Sequence, residues 1–352
     1  MQKSSSRWTG LLFQLAAIVL ALGFTTAVLL LTKGQPFAAY QNIILGSVGS
    51  ITKFADVLVA WVPLLLAASG VLMTFAAGLW NIGIEGQITV GAIFTTWILR
   101  MLQDSSMPGW SVILLGFLAG MLGGALWAAL AGALKTYGGV NEIFGGLGLN
   151  FVATAMTLWL IFGPWKRPGV GSMSGTQPFP QTLWLPQIEG LRLSWWSLGI
   201  GLIGLVLVYA ILQGTYIGLK LKAVGKNARA AFLLGVPTTR YMMLSFIICG
   251  VLAGLAGAVQ VTAVYHRLIP SISSGYGFLG LLVAMLVNYQ AIGIAPVALF
   301  FAILNIGSIQ LPIVLKLDSA LSGVLQGALV LFVLIMDGVR KRMTQKIQEK
   351  SA

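Results

Sequence analysis

The chain has 352 residues, of which 58% are hydrophobic and 8% charged, with a formal net charge of +13 and a mean hydropathy of +0.93. Soluble domains carry about 25% charged residues, so this composition excludes an ordinary soluble globule and points to a bilayer protein. One cysteine, Cys249, and one histidine, His266, exclude a disulfide framework and a zinc cluster.

Lys3 and Arg7 precede an apolar run from Leu11 to Leu31. The run is longer than a signal-peptide core and lacks a small-residue cleavage site, so it is expected to remain as a first helix with its N-terminus inside. Further runs follow at about 57–79, 86–102, 111–134, 143–163, 195–213, 242–264, 276–291, 292–311 and 319–337. About 20 apolar residues span a bilayer, and in lipid such a run must be helical to satisfy its own amides. The expected fold is an all-α polytopic membrane protein of about ten transmembrane helices, some discontinuous. One membrane domain over 9–340 is expected, with a basic cytoplasmic tail over 341–352. The surplus of Lys and Arg is read as cytoplasmic loop bias, with both termini inside. No alternation of cations with exposed aromatics supports a nucleic-acid partner.

Two connections exceed a tight turn. Residues 163–196, rich in Pro, Gly and Trp, are predicted to form an ordered cap outside, at the interface that Trp prefers. Residues 214–242 are predicted inside; there "NARAAFLLG" favours a short helix stopped by Pro237. Small residues recur four apart at Gly120 and Gly124, Gly250 and Gly254, and Gly323 and Gly327, which lets helix backbones approach closely.

Between two apolar runs stands "GLWNIGIEGQITVG", residues 78–91. A carboxylate at mid-bilayer costs at least ~2.5 kcal/mol, so Glu85 must face protein or water. Gly83, Gly86 and Asn81 favour a break in the helix. Glu85 then either lines a solute path or pins the broken backbone, where the N-terminus of the half-helix from Gln87 would favour its charge. "SISSGYGFLGLLVAML", residues 271–286, offers a second glycine-broken helix start around Tyr276. Laid against 82–94, it suggests an inverted repeat. Asn150, Thr154, Asn288, Asn305, Gln310, Ser322 and Gln326 lie in apolar runs. They either line a path for a neutral, hydrogen-bonding solute or bond between helices.

"NIGIEGQ", "VNEIFGGLGLNF", "LKAVGKNARAAFLLGV" and "SGYGFLGLLVAML" together resemble ABC importer permeases of the branched-chain amino acid, ribose and nucleoside superfamily. Within it, the chain is most similar to permeases of nucleoside and simple-sugar importers served by lipoproteins. The resemblance runs from about 10 to 340. It implies a path for nucleosides, with ribose or another simple sugar as the alternative. It also implies a cytoplasmic ATPase that uses the ATP, a second permease subunit forming a heterodimer, an external substrate-binding lipoprotein and a plasma (inner) membrane location. The path or break residues are then Asn81, Gly83, Glu85, Gly86, Gln87, Asn150 and Tyr276. The ATPase-coupling loop carries Ala223, Gly225, Asn227, Ala230, Ala231 and Gly235.

No enzyme is expected in the chain itself. Gly218, Gly225 and Lys226 have the wrong spacing for a phosphate loop, and Asn227 stands where Ser or Thr would hold magnesium. "GGLGL" at 145–149 follows no strand. A lone histidine allows no Ser/His/Asp set, and no cofactor is expected. A secondary carrier would need titratable groups in its spans, where only Glu85 qualifies.

Overall fold

The computed structural model describes residues 19–31, 34–169, 174–287 and 290–316, with isolated positions at 16 and between 320 and 342. Asn288, Ser322, Gln326, the start of the first run and the 341–352 tail lie outside the described residues, as does much of the 319–337 run. The described residues are mainly helical, with no strand among them. Six helices among them, or seven if the bent pair Val19–Leu31 and Pro36–Val48 is one span, are long and apolar enough to cross a membrane. The chain divides into two compact units, residues 58–299 and residues 1–57 with 300–352.

In the smaller unit, α1 (Val19–Leu31) is followed by α2 (Pro36–Val48). The sequence reading missed α2 because Tyr40, Gln41 and Asn42 interrupt its apolar pattern. Pro36 at the first helical position, where a missing N–H costs nothing, is the signal that could have found it. Leu29, Ala39, Ile43 and Leu311 form its core. Asn42 turns its amide back onto the Ala38 carbonyl at 2.7 Å.

The larger unit takes α3 (Ile51–Ala76) from Leu58 onward. It continues through α4 (Ile84–Leu102), α5 (Gly109–Thr136), α6 (Glu142–Phe162) and α7 (Trp195–Gly214). Two short helices follow, α8 (Tyr216–Lys226) and α9 (Ala228–Leu233), then α10 (Thr238–Val259). A π-turn over Gln260–Val264 extends α10, and α11 (Tyr276–Leu286) closes the series before the Ala291–Gly293 turn.

α4 lies at the centre of this unit: Ile84, Gln87, Ile88, Ala92, Thr95 and Leu99 are all buried. The glycine pairs explain the packing beside it. A methyl on Gly254 or Gly250 would strike the Gly120 or Gly124 carbonyl, so α5 and α10 cross backbone against backbone. Gly91 of α4 meets Gly254 in the same way. Among the described residues, Gly323 and Gly327 meet no such partner.

The run at 276–291 differs from the expected span. Among the described residues there, the α-helix covers the 11 residues Tyr276–Leu286, about 17 Å at 1.5 Å per residue, short of a ~30 Å hydrocarbon core. The left-handed turn at Ser274 (φ +52°) and Gly275 (φ +74°) sets the start at Tyr276 as expected, and the helix stops early because Val287 (φ −77°, ψ 5°) leaves helical geometry.

The 163–196 cap is ordered over its described residues, which exclude 170–173. Its backbone is laced to the segment after the π-turn. Thr176 N donates to Leu268 O (2.9 Å), Phe179 N to His266 O (2.9 Å) and Leu185 N to Thr262 O (3.0 Å). Trp184 stacks flat on His266, with ring centroids 3.7 Å apart. At the opposite end of the unit lie the turn after α3, the α5–α6 turn and α8 with α9.

Candidate functional site: a stitched helix break and an exposed short helix

α3 ends in a tight left-handed turn. Gly78 N donates to Phe75 O (2.9 Å) and Leu79 N to Thr74 O (2.9 Å), with Gly78 at φ +75°. Leu79–Gly83 then run without helix until α4 begins at Ile84. Such a gap leaves backbone groups unpaired in an apolar interior, where each costs several kcal/mol. The signature supplies the missing partners.

Asn81 and Gln87 face each other across the gap as a reciprocal amide pair, at 3.1 and 3.0 Å, and Asn81 Nδ2 also reaches Cys249 Sγ at 3.1 Å. Asn150 of α6 closes the gap from the side. Its Oδ1 accepts from Gly86 N (2.8 Å), and its Nδ2 donates to Ile82 O (2.9 Å). Gly83 and Gly86 are there for space. A methyl on Gly83 would stand 3.1 Å from Gly146 Cα, and one on Gly86 would stand 2.9 Å from Asn150 Oδ1.

Glu85 crosses to the second broken helix. Its Oε1 accepts from Gly275 N (3.0 Å) and its Oε2 from Gly277 N (2.7 Å), and the Ser273 side chain adds a further hydrogen bond. The carboxylate therefore caps α11, a helix 190 residues away in sequence, rather than the start of its own. Glu85 also stands in the first turn of α4, as expected, so the N-terminal dipoles of both helices favour its charge. Tyr276 is buried at that junction.

The structure thus brings Asn81, Gly83, Glu85, Gly86, Gln87, Asn150 and Tyr276 together at one break, with the amides and the carboxylate bonded to backbone or to each other. Thr154 likewise turns back, donating to Asn150 O at 3.0 Å. One residue escaped the sequence reading. The indole N–H of Trp127 is buried against Gly86 without a hydrogen-bond partner. Its only sequence signal is a tryptophan in mid-helix, away from the interface where that residue usually sits.

α8 and α9 share a hinge residue. Asn227 N closes α8 by donating to Ala223 O (3.1 Å), while Asn227 Oδ1 caps α9 by accepting from Ala230 N (3.0 Å). Gly235 (φ +81°) and Pro237 end α9 as expected. Of the small residues named from sequence, Gly225, Asn227, Ala230 and Gly235 are exposed and Ala223 is half-buried. Ala231 is 3% exposed, and Gly225 faces the α3–α4 turn. Phe232, Leu233 and Leu234 are turned outward, at 66%, 78% and 84% exposure, beside Arg229. The sequence reading named the small residues and passed over these three, because apolar side chains in a hydrophobic chain carry no contrast.

A long apolar chain, helical and without strand among its described residues, with a stitched break and a protruding apolar helix, has the make-up of a transporter's membrane subunit. Residues 53–334 match the family described as branched-chain amino acid transport system / permease component. The chain belongs to this family. It is 29% identical over 327 residues to the glucose ABC transporter permease protein TsgB13 of Haloferax volcanii, covering 90% of this chain and 85% of that one. It is 27% identical to the guanosine ABC transporter permease protein NupP of Bacillus subtilis, covering 98% and 99%. To the nucleoside ABC transporter permease protein NupB of Lactococcus lactis it is 30% identical, covering 83% and 82%. The chain is a multi-pass permease subunit of an ABC importer, is not itself an enzyme, and works with ATPase and permease partners.

Proposed function

We propose that the chain forms half of a translocation path for nucleosides. The observation that carries this is the end-to-end likeness to a guanosine permease together with the likeness to a nucleoside permease from a second organism. The interior agrees with a neutral solute. Apart from Glu85, whose oxygens are occupied by Gly275 and Gly277, the buried polar side chains among the described residues are hydroxyls and amides. A simple sugar is the second reading, favoured by the likeness to a glucose permease.

ATP is consumed by a partner ATPase that docks on the Phe232–Leu234 edge of α9, on the cytoplasmic side. An external binding lipoprotein is received by the 163–196 cap, where Lys166 and Arg192 are exposed. The second permease is a different chain. In support, Bacillus subtilis has two guanosine permeases of this kind, both similar to this chain. The permease domain runs over 9–340, the chain spans the plasma membrane, and both termini, with the basic tail 341–352, lie on its cytoplasmic side.

The test is uptake into vesicles carrying the reconstituted importer, with labelled guanosine, uridine, glucose, ribose and leucine. Nucleoside uptake that needs ATP and the binding protein, and that unlabelled nucleosides alone compete away, is the expected result. Uptake of a sugar or of leucine alone rejects the nucleoside reading.

A further inference from the structure

α8 is held at two glycines seven residues apart, which places them on one face. A methyl on Gly218 would lie 2.6 Å from Leu212 Cα, so α8 folds back on the end of α7. A methyl on Gly225 would strike the Ala76 carbonyl and lie 2.9 Å from Gly78 N. The approach is reciprocal: a methyl on Gly78 would stand 3.1 Å from both Gly225 Cα and Gly225 O. Two backbones meet here with no side chain between them. Leu221 and Val224, both buried, fix α8 on the same side.

Each partner in this contact leads to one half of the site. From Gly225 the chain passes through Asn227, which belongs to α8 and α9 at once, to Phe232–Leu234. From Gly78 three residues lead to Asn81, which is paired to Gln87 in α4. Glu85, in the same turn of α4, holds Gly275 and Gly277. Close-packed backbones transmit displacement because no rotamer can absorb it.

We propose that the Gly78–Gly225 backbone contact is the joint through which movement of α9 reaches the Glu85-stitched break, making both glycines positioning residues for transport. This rests on the reading that α9 receives the ATPase.

The test uses the full importer in vesicles, comparing Gly78→Ala, Gly225→Ala and Gly139→Ala. Gly139 is the control: it has φ +65° with no atom within 4 Å of an added methyl, so alanine there carries the backbone strain without the contact. The readouts are solute transported per ATP hydrolysed, the half-saturating solute concentration, and co-purification of the ATPase. Gly78→Ala and Gly225→Ala are expected to lower solute per ATP at least fivefold, with half-saturation within twofold of wild type and the ATPase still bound. Gly139→Ala is expected to match wild type. Should Gly78→Ala fail to reach the membrane, Gly225→Ala and Gly225→Ser, neither at a left-handed position, decide alone. Wild-type coupling in Gly225→Ala, or equal losses in all three variants, overturns the joint while leaving the ATPase reading intact. A Phe232→Asp importer that still binds the ATPase and transports normally overturns the docking reading, and the joint falls with it.

Discussion

Around Glu85 each polar side chain of the signature ends on a partner within the chain, whereas α9 turns Phe232, Leu233 and Leu234 outward, each more than half exposed. The difference follows from what each place has to satisfy. A helix broken in an apolar interior must supply its own hydrogen-bond partners, because lipid offers none. α9, a single short turn of helix, takes its cap from Asn227, and its three exposed apolar residues mark a surface for contact. The first region is built to hold a shape and the second to be touched. The sharpest way to break this contrast is to charge the exposed edge. Phe232→Asp puts a carboxylate where a partner would desolvate it, so transport is expected to fall at least tenfold while membrane insertion and detergent stability stay unchanged. The check is uptake beside thermal unfolding; a loss of stability instead would mean that Phe232 supports the fold.

The next largest effect lies at the pin. Glu85→Gln keeps the size but replaces one acceptor oxygen by an NH2 group, which would face the N–H of Gly275 or Gly277. Hydrogen bonds to a charged group contribute roughly 1.5–3 kcal/mol each, and an orphaned buried donor costs about 1–3 kcal/mol. A destabilisation of about 2–4 kcal/mol is expected, read as a lowered unfolding midpoint in detergent. A variant as stable as wild type but with altered solute preference would move Glu85 from the break to the path. Gln87→Met, which removes the amide pair with Asn81, is expected to cost less, about 1 kcal/mol, with the same measurement as the judge.

Much of this contrast was legible in the sequence. Hydropathy located the principal spans, since apolar length leaves one solution in lipid, and the glycines at 83 and 86 announced the break. The four-residue spacing picked out Gly120, Gly124, Gly250 and Gly254, which do bring α5 and α10 together. The partner of Glu85 was not legible, because 190 residues separate it from Gly275 and both ends look like unremarkable glycine turns. Gly225 was read as part of the ATPase-coupling loop; it is exposed there and also packs against Gly78, a contact that side-chain size alone could not name. The outward edge of α9 was missed for the opposite reason, since Phe and Leu stand out only where polar residues set the background.

The smallest effect tests whether the cap behaves as a fixed piece of the fold, like the break, or as a surface, like α9. Its link to the π-turn segment runs through His266, which stacks on Trp184 and places Nδ1 3.1 Å from Thr262 O. Burial pushes the imidazole below its ordinary value near 6.5, with the Thr262 carbonyl working weakly the other way. A histidine depressed in the folded state binds fewer protons there than in the unfolded chain. Its contribution is therefore whole above about pH 6.5 and is lost as pH falls toward the lowered value. The unfolding midpoint of the permease in detergent is expected to drop by a few degrees or less between pH 7 and pH 5 on this account. His266→Phe retains the stacking face and removes the titration, so its midpoint should lose the histidine part of that slope. An identical slope in both proteins would show that the cap is held by the Thr176, Phe179 and Leu185 backbone bonds alone, and that the His266–Trp184 stack is incidental to it.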